Sequence, residues 1–139
     1  MNSRNSRRKR NCGSGIVETA AGLIFIIPVL FILIDIAALV MSQTANDSLA
    51  KQCARAAADQ PSGSPTSPQQ TQAAQNAYNK YQDNSMVKKV NLTVLDNGDG
   101  TITARTWILC TLPIPVPFGG PATQQFEAFS TEPVVGQLP

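Results

Sequence analysis

One stretch of the sequence is too long and too apolar to be the ordinary core helix of a small domain. From Ala20 to Met41 the chain reads AAGLIFIIPVLFILIDIAALVM, 22 residues in which Asp35 is the only charge. At about 1.5 Å of rise per helical residue this is roughly 33 Å, enough to cross a hydrocarbon core of about 30 Å. The 98 residues beyond Met41 leave room for one small domain.

The formal charge of +2 hides an asymmetry. Residues 1 to 12 carry Arg4, Arg7, Arg8, Lys9 and Arg10 and no acid, whereas residues 42 to 139 carry six basic and seven acidic side chains. Lysine and arginine beside a span stay on the cytoplasmic side, so the N-terminus is expected inside and everything after Met41 exported. A basic arm for nucleic acid is the rival reading; the adjoining span explains the charges without it, and no nucleic-acid partner is expected. There is no histidine, and Cys12, Cys53 and Cys110 lack CxxC spacing and a neighbouring carboxylate cluster. No catalytic residue, cofactor site or metal site can be named, and an enzyme is not expected.

Three processing schemes fit a basic start followed by an apolar run: a cleaved secretory signal, an uncleaved signal anchor, and a prepilin-type leader with a retained helix. A secretory signal has an apolar region of about 7 to 15 residues closed by small residues; this run is longer, and SQTAND after it offers no good site. Cys12 precedes the apolar run, which argues against a lipoprotein. The third scheme accounts for more of the sequence. Cleavage between Gly13 and Ser14 makes Glu18 the fifth mature residue, the place of the glutamate in type IV pilins, whereas cleavage after Gly15 makes it the third. A carboxylate in the first turn of a helix is favoured by unpaired N–H groups. In lipid it costs several kcal/mol unless paired, and the ammonium of a neighbouring subunit's N-terminus would relieve that cost.

The stretch GSGIVETAAGLIFIIPVLF, followed by AKQCARAAADQP, resembles the TadE-like pseudopilins, minor pilin-like components of the Tad (Flp, type IVc) pilus and secretion machinery. The matching elements are Gly13 or Gly15, Val17-Glu18, Pro28 and Ala54-Arg55-Ala56-Ala57, and the resemblance covers residues 4 to 60. It implies a pilin-like α+β fold and a non-enzymatic subunit taking part in assembly of a Tad pilus, with roles in adhesion or secretion. The implied partners are the membrane, prepilin peptidase, other pilin or pseudopilin subunits and the pilus assembly platform. The implied location is the bacterial inner membrane, single-pass, with the C-terminal domain exported. The alternative is a signal-anchored extracytoplasmic binding module with a single span.

Asp35 is the intramembrane polar residue; it is expected either to face a partner or to reach toward the outer interface. Beyond Met41, Ala45, Leu49, Cys53 and Ala56 make an apolar stripe beside Asn46, Lys51, Arg55 and Asp59, so one helix from about Gly15 to Asp59 is expected, ended by Pro61. PSGSPTSP reads as a linker. Ser67-Pro68 opens a second helix to about Tyr81, glutamine-rich and mainly solvated. Alternation in 90–95 and 101–112 reads as two strands joined by a DNGDG hairpin loop. LPIPVPFGGP reads as a donor-poor edge segment, and Phe126 to Phe129 as part of a third strand. The expected organisation is a basic leader over 1–13, a transmembrane and stalk helix over 14–60, and a small exported α+β domain over 61–139. Alternation turns Cys110 toward the helix stripe that holds Cys53, so a Cys53–Cys110 bridge is expected, with two buried free thiols as the alternative.

Overall fold

A computed structural model describes residues 14–60, 67–114 and 122–135. The fold is α+β: a long N-terminal apolar helix, a short second helix and a three-stranded antiparallel sheet. Helix α1 (Ser14–Ala58) includes Pro28. Helix α2 is Pro68–Lys80, and the strands are β1 (Val87–Asp96), β2 (Thr101–Thr111) and β3 (Thr123–Pro133), in the order β1-β2-β3. The chain divides into two compact units, residues 1–33 and residues 34–139.

Within the second unit, β2 is the central strand and its even residues form the floor of the core. Ile102, Ala104, Thr106, Ile108 and Cys110 are all buried. Against them α1 presents mostly small side chains, Ser42, Ala50, Cys53, Ala54, Ala57 and Ala58, with Leu49 the one large residue among them. The two elements run antiparallel: Ser42 Oγ lies 3.0 Å from Cys110 Sγ, Asn46 meets Thr106, and Ala58 O accepts from Val135 N at 3.0 Å just beyond the end of β3.

Asn46 is the polar centre of this interface. Its side chain is fully buried. Nδ2 donates to the carbonyls of Thr106 and Phe126, both at 3.3 Å, and Oδ1 accepts from the Thr106 hydroxyl at 2.7 Å. A buried amide is tolerated when it is paired in this way. The sequence pattern places Asn46 on the solvated side of the helix; the structure corrects this, because the stripe packed on the sheet follows 42, 46, 49, 53 and 57 and holds Ala45 and Ala56 only half-buried.

Helix α2 starts where its capping chemistry dictates. Ser67 Oγ accepts from Gln70 N (3.3 Å) and Gln70 Oε1 accepts from Ser67 N (3.1 Å), with Pro68 in the first turn, so two otherwise unpaired donors are satisfied reciprocally. The helix is less solvated than its composition indicates, since Gln70, Ala74 and Tyr78 are buried and the last two join the core. Between β1 and β2, Gly98 and Gly100 take positive φ (76° and 79°), the conformation that makes DNGDG a turn. Its aspartates are engaged locally, Asp96 Oδ1 accepting from Gly98 N and Asp99 Oδ1 from Thr101 N.

In β1 the register against β2 slips between Lys89 and Asn91. This β-bulge leaves Val90 exposed and turns Leu92 and Val94 inward, so the simple alternation read from 90 to 95 holds only after the bulge. Residues 115–121 of the proline-rich segment lie outside the described residues. Leu112–Ile114, its start, follow β2 without belonging to it.

Asn46→Ala leaves the Thr106 hydroxyl and two carbonyls to find new partners in a dry interface. At about 1–3 kcal/mol per unpaired buried group, stability falls by about 3 kcal/mol, read by urea unfolding of the micelle-solubilised chain through Trp107 fluorescence. A double-mutant cycle with Thr106→Val returns a coupling of about 1 kcal/mol or more; additive losses contradict the pairing.

Candidate functional site

The first unit, over its described residues, is helix. Ile16, Val17, Leu23, Phe25, Val29, Ile32 and Leu33 are among its exposed large side chains, Phe25 at 76%. An exposed apolar helix of this length is long and apolar enough to cross a membrane once. The Thr19 hydroxyl is satisfied inside the helix, its Oγ1 donating to Gly15 O at 2.7 Å, while Pro28 removes one backbone donor from it. A shallow concavity beside it is lined by Gly15, Ile16, Thr19, Ala20 and Leu23, and a Cβ added at Gly15 would meet nothing.

Two carboxylates interrupt the apolar surface, and their situations differ. Asp35 is half-buried in the second unit, and its Oδ1 accepts from the backbone N–H of Ile114 at 3.3 Å. Asp35 thus has a hydrogen-bond donor within its own chain. Glu18 is exposed and has neither a hydrogen bond nor an ion pair among the described residues. The first turn of α1 contains no acid. Glu18 is the fifth residue of α1 counted from Ser14. Gly13 lies outside the described residues; Ser14 is the first residue of α1.

Comparison with protein-family models, curated proteins and solved structures gave no match to this chain.

Cys53 and Cys110 are both buried and both free, which overturns the expected bridge. Antiparallel packing is the reason. Cys110 sits against Ser42, and Cys53 lies eleven residues further along the same helix, about 16 Å at 1.5 Å per residue, whereas a disulfide needs Cα atoms within about 7 Å. The helical stripe turned Cys53 inward and strand alternation turned Cys110 inward, and neither carried information about their level along the helix.

Charge chemistry in the second unit is structural. Lys89 Nζ donates to the carbonyls of Tyr78 (3.2 Å) and Tyr81 (2.5 Å) and lies 5.2 Å from the centre of the Tyr78 ring. It caps the C-terminus of α2, where a cation is favoured. Sequence reasoning missed this lysine, because the alternation of Val90, Leu92 and Val94 puts position 89 on the outward face unless the bulge is known. Burial pushes the Cys53 thiol up from 9.0 to about 11, with the Lys89 charge opposing, and pushes the Tyr78 hydroxyl up from 10.0 to about 12, with Asp83 and then Cys53 adding. A hydrogen bond from the Thr101 hydroxyl holds the Asp99 carboxyl below its ordinary value. Among the described residues no group of three His, Cys, Asp or Glu side chains is placed to hold a metal.

Unfolding returns Cys53 to 9.0, so between pH 9 and about 11 the unfolded chain gives up a proton that the folded chain keeps. Stability is full below pH 9 and falls as pH rises toward 11, Tyr78 extending the fall toward 12. The urea midpoint declines from pH 9 to 10.5, and more shallowly in Cys53→Ala; an unchanged slope in that variant contradicts the assignment. Thiol titration of Cys12→Ser without reductant finds Cys53 and Cys110 unreactive when folded and both reactive in urea.

Proposed function

We propose that this chain is a non-enzymatic pilin-like subunit of the TadE-like pseudopilin type, taking part in assembly of a Tad pilus and so in adhesion or secretion. In this reading, prepilin peptidase cuts between Gly13 and Ser14, and the helix holds the subunit in the bacterial inner membrane with its folded domain exported. Glu18 then meets the N-terminal ammonium of a neighbouring pilin or pseudopilin subunit on the assembly platform. The observation that carries the reading is the contrast between the two carboxylates. Asp35 is answered by a backbone N–H of its own chain, whereas Glu18 stands exposed on an apolar helix with no partner among the described residues. An unpaired carboxylate costs at least about 2.5 to 3.5 kcal/mol at the bilayer centre and less near the interface, so a partner from another chain relieves a cost and gives it a use. The basic residues before the helix and the five-residue spacing from Ser14 to Glu18 support the same reading.

The test is the N-terminal sequence and intact mass of the protein from membranes of its host, with and without prepilin peptidase. The expected mature chain begins at Ser14 and is absent from the peptidase mutant. An intact N-terminus in both strains contradicts the proposal and leaves a signal-anchored binding module.

A further inference from the structure

The apolar surface of α1 does not stop where a bilayer core does. Residues 16 to 41 contain Glu18 and Asp35 as their only charges. They measure about 39 Å as helix, some 9 Å more than a hydrocarbon core. Measured from Ile16, about 20 helical residues fill that core and reach Asp35. The residues after it belong to the folded second unit yet remain apolar and exposed: Ile36, Val40 and, at 72%, Met41.

A second element of that unit lies at the same level. Ile114 donates its N–H to Asp35, and Leu112–Ile114 leave the end of β2 that carries Cys110, beside Ser42. Pro113 is exposed, and Leu112 and Ile114 are half-buried. From Leu112 to Phe126 the sequence contains no charged residue. The nearest charged side chain in β1 is Lys88, exposed and paired with Leu109, where an ammonium can reach lipid phosphates. In water this end of the domain would expose apolar side chains from two elements joined at Asp35 and Ile114. In the 5 to 7 Å interfacial layer outside each face of the core it would be matched, and Asp35 arrives there with a hydrogen bond already made.

From this continuity we infer that the folded domain is seated in the outer interfacial layer of the bilayer through Ile36, Val40, Met41 and Leu112–Ile114, with Asp35 at the boundary of the hydrocarbon. The occupant of the surface is lipid. The inference rests on α1 crossing the bilayer, and it makes the domain a membrane-seated body instead of one held off the membrane by a stalk.

The full chain with Cys12→Ser is reconstituted in phosphatidylcholine–phosphatidylglycerol vesicles and labelled with an environment-sensitive fluorophore at one added cysteine. Pro113→Cys and Ile36→Cys report the proposed surface, Ile27→Cys the span, and Lys51→Cys, exposed further along α1, the aqueous reference. Each labelled variant must retain the wild-type circular dichroism, and two reporter positions keep the test open if one fails to fold. At Pro113 and Ile36 quenching by iodide should be at least threefold weaker than at Lys51. Lipid nitroxides near the headgroup should quench these two sites more than deep ones, with the order reversed at Ile27. Pro113 and Ile36 behaving like Lys51, with Ile27 still in lipid, overturns the inference and leaves the span intact. Protection from both iodide and lipid nitroxides overturns it in favour of a protein partner. An iodide-accessible Ile27 overturns the span itself and the inference with it.

Discussion

Asn46 reaches across to two strands at once, and its hydrogen bonds to Thr106 and Phe126 decide which turn of α1 lies over which residue of β2. Apart from Leu49, the rest of the helix–sheet interface is made mostly of alanine, serine and cysteine side chains, whose contacts carry little directional information. Hydrophobic burial is non-directional; a buried amide that leaves its partners unpaired when displaced is not. With Asn46 fixed at Thr106, Ser42 falls beside Cys110, Leu49 and Cys53 join the core, and Ala58 receives the N–H of Val135. The same register brings Ile114 to Asp35.

One helix thus serves two solvents. From Ile34 onward it is part of a folded α+β unit, and before that its large apolar side chains are left for a non-aqueous environment. Because the chain supplies a donor for Asp35 and none among the described residues for Glu18, the two charges have different uses. The first belongs to the fold. In the proposed pilin-like role the second belongs to the assembly, and its exposure next to the Gly15–Leu23 concavity is what a docking partner would find.

Much of this fold is legible in the sequence because its signals are local. The apolar run, the Ser67-Pro68 start of α2, the DNGDG turn and the even-residue face of β2 each follow from a short pattern, and each forms. What escapes local reading depends on register. Asn46 resembles a solvated residue until β2 is laid beside it, and Lys89 resembles a surface lysine until the end of α2 arrives over it. The bulge at Val90 reverses the parity of β1 without leaving a mark in its hydrophobic pattern. Cys53 was turned inward by the helical stripe and Cys110 by strand alternation, yet pairing requires equal height along the helix, which no periodicity encodes.

Photo-crosslinking from α1 in host membranes tests the central claim most directly. With benzoylphenylalanine at Ile16, beside Glu18, the account predicts an adduct with a second small membrane subunit that disappears in Glu18→Ala, while a probe at Leu30 continues to report membrane insertion in both chains. Adducts at Ile16 that do not change when Glu18 is removed, or that contain lipid alone, would contradict it.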